Sequence, residues 1–151
     1  MMTIKQLEVT VGEITSGYID SEEQGVRGYG GLLDIRPPYQ REFIYNEKEQ
    51  IAVINTVLKG YPLNVMYWVK RSEDAECPYE VMDGQQRTLS LCLYVAGTFA
   101  YDFKNFFNQP ADIRKKILDY KLTVYVCEGE ESEKLEWFQT INIAGKPLNE
   151  Q

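Results

Sequence analysis

Histidine is absent from the 151 residues of the chain. That omission removes whole classes of chemistry: Ser-His-Asp triads, His general bases, HExxH zinc sites and His-metal nuclease motifs all need an imidazole. Cysteine is scarce. Cys77, Cys92 and Cys127 are widely spaced, form no CxxC pair and make an odd total. Neither a disulfide framework nor a zinc site is expected, and a reducing cytosol fits. All three thiols read as structural, with Cys92 and Cys127 lying in apolar runs that belong in a core. Long hydrophobic runs are also missing. The longest, Leu89 to Ala96, is interrupted by Ser90 and is too short to span a bilayer. The first residues lack the charged and apolar regions of a signal peptide. These absences together lead us to expect a soluble, cytoplasmic protein without a membrane partner. Cations are in the minority, 16 Lys+Arg against 23 Asp+Glu, for a formal charge of -7. Bulk charge therefore cannot draw the chain to bare nucleic acid, and any such role must be local or belong to a partner.

What the chain does contain is enough apolar material for a core: 44% hydrophobic residues and 13% aromatics, including 11 tyrosines and 2 tryptophans. No repeat, low-complexity tract or Pro/Ser-rich linker divides it, so its length suits one domain. The acidic stretches Asp20 to Glu23, Glu73 to Glu76 and Glu128 to Glu136 adjoin turn signals and read as solvated surface. Gly25, Gly28, Gly30 and Gly31 suggest a mobile loop leading into the apolar run Leu32 to Arg36. Pro37-Pro38 then imposes an extended path.

Elements follow from there. Asn46 with Glu49 three residues on forms a capping box, Ile51, Ile54, Val57 and Leu58 keep helical spacing, and Gly60 and Pro62 close the helix. Asn64 to Lys70 and Tyr79 to Met82 read as strands flanking an acidic turn from Ser72 to Pro78. Asp83-Gly84 breaks the second strand. Gln85-Gln86-Arg87 opens a helix whose expected core face is Leu89, Cys92, Leu93 and Ala96, ended by Gly97. After the aromatic stretch Phe99 to Phe107, Pro110 suits the first turn of a short helix to about Tyr120. Lys121 to Cys127 alternates as a strand, a last helix is expected from about Ser132 to Asn142, and Ile143 to Leu148 reads as a loop. Interleaved strands and helices place the chain in the α+β or mixed α/β class, a small mixed sheet flanked by helices.

Three clusters could carry chemistry. The first is Asp83-Gly84-Gln85-Gln86-Arg87 at a strand-to-helix junction. A glycine there lets the backbone approach a ligand, the first helical amides lack intrahelical partners, and the dipole adds positive potential. The result is an anion site. Two carboxamides and a guanidinium add donors. The plain alternative is a helix start with Arg87 paired to an acid. The second cluster is Pro37-Pro38-Tyr39-Gln40-Arg41, which holds an aromatic face, an amide and a cation in extended order; the alternative is an edge segment with a surface arginine. The third, Phe138, Asn142, Gly145 and Lys146, reads equally as a helix end with a Gly-Lys-Pro turn. There is no GxxxxGK[ST], and Gly28-Tyr29-Gly30-Gly31 starts no predicted helix, so neither a P-loop nor a dinucleotide fingerprint exists. No paired-carboxylate or metal-ligand spacing stands out.

The ordered set Pro-x-Tyr-Gln-Arg, Gly60-Tyr61-Pro62, Val81-Met82-Asp83-Gly84-Gln85-Gln86-Arg87-Thr88-Leu89 and Phe138-Gln139-Thr140-Ile141-Asn142-x-x-Gly145-x-Pro147-Leu148 resembles a specific family. It is similar to the DGQQR-signature N-terminal domain of GmrSD-type, modification-dependent restriction systems. That domain is in turn similar in fold to the ParB N-terminal/sulfiredoxin superfamily. The likeness covers about residues 30–151, leaving about 1–30 as an N-terminal extension. It implies a nucleotide-binding, in several members nucleoside-triphosphatase, domain that regulates a DNA-cutting domain in the same or a partner chain, beyond Gln151. Tyr39, Gln40 and Arg41 would contact base, sugar or phosphate. Asp83, Gly84, Gln85, Gln86 and Arg87 would form the phosphate and Mg²⁺ end, with Asp83 as metal ligand. Asn142 and Gly145 would shape the pocket wall. In hydrolysis Arg41 and Arg87 would stabilise charge and Gln85 or Gln86 would orient water, which phosphoryl transfer permits without His. A second expectation is a ParB-like DNA- or protein-binding module without turnover. A nuclease made of these residues alone is not expected. An oligomer remains open.

Overall fold

A computed structural model describes residues 2–36, 45–71 and 76–145, leaving aside the side chains of Phe138 and of 141–145. In chain order the elements are β1 (Thr3–Thr10), α1 (Val11–Thr15), β2 (Ile19–Ser21), β3 (Gly25–Gly28), β4 (Leu33–Arg36) and α2 (Glu47–Leu58). They continue with β5 (Met66–Lys70), β6 (Tyr79–Asp83), α3 (Gln85–Val95), a 3-10 turn (Phe106–Asn108), α4 (Ala111–Asp119), β7 (Lys121–Glu128) and α5 (Glu131–Gly145). The strands form one mixed sheet in the order β1-β7-β5-β6-β4-β3-β2. β4/β6 and β5/β7 run parallel; the remaining pairs are antiparallel. The fold is therefore α+β, as its interleaved pattern indicates.

Alternation along the strands divides the residues between two faces. Met66 and Trp68 on β5, Leu33 and Ile35 on β4, and Leu122, Val124 and Val126 on β7 join one buried cluster with Ile14, Ile54, Val57, Leu89, Cys92 and Ile117 from α1 to α4. Four helices thus cover one face. The other face carries Tyr67, stacked on Tyr125 at 5.8 Å and meeting Trp137 of α5 edge-on at 5.3 Å. Lys134 of α5 donates to the Lys70 carbonyl at 2.8 Å, fixing the helix along β5. All three cysteines are buried, Cys92 and Cys127 as read and Cys77 in addition. No helix among the described residues is long and apolar enough to cross a membrane.

Local chemistry accounts for several boundaries. Asn46 caps α2 through the Glu49 amide, and the Glu49 side chain returns to the Asn46 amide at 3.1 Å, the full capping box. Thr10 and Glu13 do the same for α1. The Tyr120 hydroxyl, just after α4, accepts from the Leu63 amide at 2.9 Å and donates to the Tyr61 carbonyl at 2.5 Å. It ties down the connection from α2 to β5.

The structure departs from the sequence reading in three places. Gly25–Gly28 is strand β3 rather than loop. A Cβ at Gly28 would lie 2.5 Å from the Ile14 carbonyl, so this glycine serves the close approach of β3 to α1. On α3, Leu91 and Tyr94 are buried beside Leu89 and Cys92, while Leu93 is half-buried and Ala96 exposed. The helix packs against α1 and α2 as well as the sheet, so it buries more than a single stripe. Thr88 and Ser90 can lie inside because their hydroxyls donate to the carbonyls of Gly84 and Gln86. Finally, α5 extends through Gly145 instead of stopping near Asn142.

Candidate functional site

Strand β6 lies inside the sheet, flanked by β4 and β5, and its last residue is Asp83. Gly84 then turns the chain into α3 with φ 103° and ψ 12°. This left-handed conformation is costly for any residue with a Cβ. A Cβ here would also sit 2.7 Å from Met66 Cγ. Two independent constraints therefore require glycine at this turn. Whereas α1 and α2 begin with capping boxes, the N-cap residue of α3 is Gly84, which has no side chain to cap it, and no acidic residue occupies its first turn. Its amides face the end of the sheet with the positive end of the helix dipole.

The next three side chains each reach a different part of the fold. Gln85 Nε2 donates to the Ile35 carbonyl at 2.8 Å. Gln86 Oε1 accepts from the Tyr45 amide at 3.2 Å, and Tyr45 is held again by Gln50 Nε2 on its carbonyl at 3.3 Å. Arg87 Nη1 donates to the carbonyls of Asn64 and Val65, while its Nη2 faces Asp83 Oδ2 at 3.4 Å. The Arg87 side chain is only 15% exposed; Asp83 keeps 41%. The first turn of α3 is thus the meeting point of three chain segments. Both described ends of the segment between β4 and α2 are fastened to it.

Tyr39, Gln40 and Arg41 lie in that segment, outside the described residues. Asn142 and Gly145 are backbone positions in the last turns of α5. That helix passes Lys70 at Lys134 and Tyr67 at Trp137, and Tyr67 is the β-partner of Asp83. Residues 142–145 therefore continue toward the end of the sheet that holds Asp83. The tethers at Ile35, Tyr45, Asn64 and Val65 could not be read from sequence. They are backbone groups, and any residue type would supply them.

A Mg²⁺ ion, which the resemblance implies, can be tested against the donors present. Among the described residues no group of three or more His, Cys, Asp or Glu could hold a metal ion. Asp83 offers one partly exposed carboxylate, which suits Mg²⁺ because that ion is commonly held by one or two carboxylates plus phosphate oxygens and water. It fits as one ligand to a metal arriving with a triphosphate.

On the opposite face, a cavity of about 340 Å³ is lined by Val69, Arg71, Glu80, Met82, Glu131, Lys134 and Leu135. Its cations are already engaged. Arg71 pairs with Asp34 at 2.9 Å and with Glu80 at 3.1 Å, and Lys134 bonds Lys70.

Fold and site together define an α+β domain organised around a strand-to-helix turn of sequence Asp-Gly-Gln-Gln-Arg, with a left-handed glycine as the N-cap of the helix it opens. The family described as GmrSD restriction endonuclease, N-terminal domain, matches residues 16–151, and the chain belongs to that family. Neither the curated proteins nor the solved structures yield a match to it.

Proposed function

We propose that the domain binds a nucleoside triphosphate with Mg²⁺ at the first turn of α3 and so regulates the DNA-cutting part of a restriction system. The observation that carries this reading is the start of α3 at the left-handed Gly84, an N-cap residue without a side chain, with no acidic residue in the first turn, in a domain of a restriction-endonuclease family. Backbone amides at a helix N-terminus favour phosphate oxygens through direct hydrogen bonds and through the dipole. Asp83 would hold Mg²⁺ there, and when bound the ion supplies charge neutralisation along the phosphates. Arg87, pinned to two carbonyls, adds a fixed positive charge beneath the site. In this reading Tyr39, Gln40 and Arg41 contribute contacts to base, sugar or phosphate, and Asn142 and Gly145 form wall. Any hydrolysis would rest on positioning and charge, since the sequence holds no histidine.

Thermal unfolding tests it. A ligand at a hundredfold excess over its dissociation constant stabilises by about 2.7 kcal/mol, equivalent to roughly 5–10 °C in Tm for a domain of this size. At least one of ATP, GTP, CTP and UTP with Mg²⁺ should produce such a rise. If none of the four moves the transition, the reading fails.

A further inference from the structure

We propose that the cavity between α5 and the strands β5 and β6 is a second binding site, for an organic monocation: an ammonium or guanidinium group carried on a short aliphatic stem. The proposal goes beyond the nucleotide reading and does not depend on it, since the described residues lining the cavity lie outside the turn that opens α3.

The sheet register builds one wall. Arg27, Asp34, Glu80 and Val69 are paired in turn across β3, β4, β6 and β5, so their side chains share one face. Directly paired residues on a face have Cβ atoms about 5 Å apart, which sets the carboxylates of Asp34 and Glu80 side by side. Arg71, one residue past β5, answers both through a single nitrogen: its Nη2 lies 2.9 Å from Asp34 and 3.1 Å from Glu80. Arg27 adds no net charge, because it pairs with Glu76 at 3.1 Å. Helix α5 supplies the other wall. Lys134 donates to the Lys70 carbonyl at 2.8 Å and stands 3.9 Å from Glu131. Leu135 is exposed, and with Val69 and Met82 it gives the cavity an aliphatic lining.

Charge decides what fits. Three carboxylates, Asp34, Glu80 and Glu131, face two cations, Arg71 and Lys134. The Asp34 side chain is only 10% exposed, yet its Oδ1 has no hydrogen-bond partner among the described residues. A partly buried excess of one negative charge is costly, and a cation bearing N–H donors removes it through charge-assisted hydrogen bonds. An anion would have to compete with Asp34 and Glu80 for Arg71. A bare metal ion suits the cavity poorly. Among the described residues no group of three or more His, Cys, Asp or Glu could hold one, and the aliphatic lining would be left without a partner. At about 340 Å³ the cavity has room for a small organic molecule.

The four methionines allow a local readout by NMR of methyl-labelled protein. Met82 lines the cavity, whereas Met66 lies in the core on the other face, beneath Gly84. The probes are butylguanidinium, butylammonium, butyrate and butanol, which share a stem and differ in charge. Both cations should shift the Met82 methyl saturably, with a Kd of about 1 mM or tighter, and leave Met66 in place. Butyrate and butanol should bind about tenfold more weakly or worse. Glu80→Gln keeps an acceptor for Arg71 and removes one negative charge, so it should weaken both cations about fivefold or more.

N-acetylarginine methylamide identifies the source of the cation. Binding as tight as that of butylguanidinium upholds the site with an arginine of a partner polypeptide as its occupant. Binding about tenfold weaker upholds it with a free small molecule. A Met82 methyl that moves with butyrate as readily as with the cations would overturn the proposal. So would a methyl that no probe moves at about 10 mM, or full cation affinity in Glu80→Gln. The ligand series needs no variant, so it decides the matter even where Glu80→Gln fails to fold. The nucleotide reading stands or falls on its own Tm shift, and the two can fail separately.

Discussion

At the scale of single residues, burial leaves its mark most clearly on Cys92. Its surroundings on α3 push the thiol from its ordinary value of 9.0 up to about 12, desolvation of the thiolate being the cause. The sign of the linkage follows. In the unfolded chain the thiol ionises above pH 9; in the native chain it stays protonated until about pH 12. Its contribution to stability is therefore complete below pH 9 and is lost as pH rises through that window, at about 1.4 kcal/mol per pH unit. Tyr18, pushed up to about 12 by burial and by Asp20, gives a similar fall, but it does so in any Cys92 variant too. Urea unfolding of wild type and Cys92→Ala between pH 8 and 12 should show the wild type losing stability more steeply above pH 9. Parallel curves would mean that solvent reaches the thiol. Burial of Cys92 and Cys127 was legible in their apolar neighbours; that of Cys77, set between Glu76 and Pro78, was not. The partners of Gln85, Gln86 and Arg87 were not, because they are carbonyls and amides of Ile35, Tyr45, Asn64 and Val65. The plain alternative for Arg87, pairing with an acid, is present as the 3.4 Å contact to Asp83. It coexists with the contacts to the Asn64 and Val65 carbonyls.

Elements with side-chain punctuation were readable in advance. The Asn46–Glu49 box starts α2, Pro110 immediately precedes α4, and the alternation of Leu122, Val124 and Val126 marks β7. β3 was not readable. Its glycines resemble loop residues, and the reason for Gly28 is a carbonyl of α1 that only the tertiary fold brings near. The start of α3 combines both cases: Asp83-Gly84 signals a turn, whereas the Met66 side chain packed beneath it comes from another strand. Gly84→Ala should therefore destabilise the domain by about 1–3 kcal/mol, through left-handed strain and the displacement of Met66. The change should appear as a lower urea midpoint with an unaltered slope. A midpoint equal to wild type would show that the turn tolerates a Cβ, and would remove the argument that its backbone geometry is specified.

For the whole molecule, sheet order was the part least visible in the sequence. β1 pairs with β7 along its full length, Thr3 opposite Glu128 and Thr10 opposite Lys121. Partners more than a hundred residues apart leave no local trace, and residues 3–28 contribute β1, β2, β3 and α1 that periodicity alone did not suggest. The family, by contrast, was legible from its spaced motifs, and its match over residues 16–151 includes β2 and β3. The sheet brings the β6 end, the β5 start and both described ends of the 36–44 segment to one edge. On the proposed reading, an acidic chain of net charge -7 presents a local anion-favouring turn, which bulk composition would not suggest. The measurement that tests this most directly is hydrogen exchange at the amides of Gln85, Gln86 and Arg87, with and without the Mg²⁺-nucleotide that raises Tm. Phosphate seated on the first turn should slow exchange there by about tenfold or more, because first-turn amides have no intrahelical acceptor to protect them. A rise in Tm with unchanged exchange at these three amides would place the nucleotide elsewhere and contradict the account.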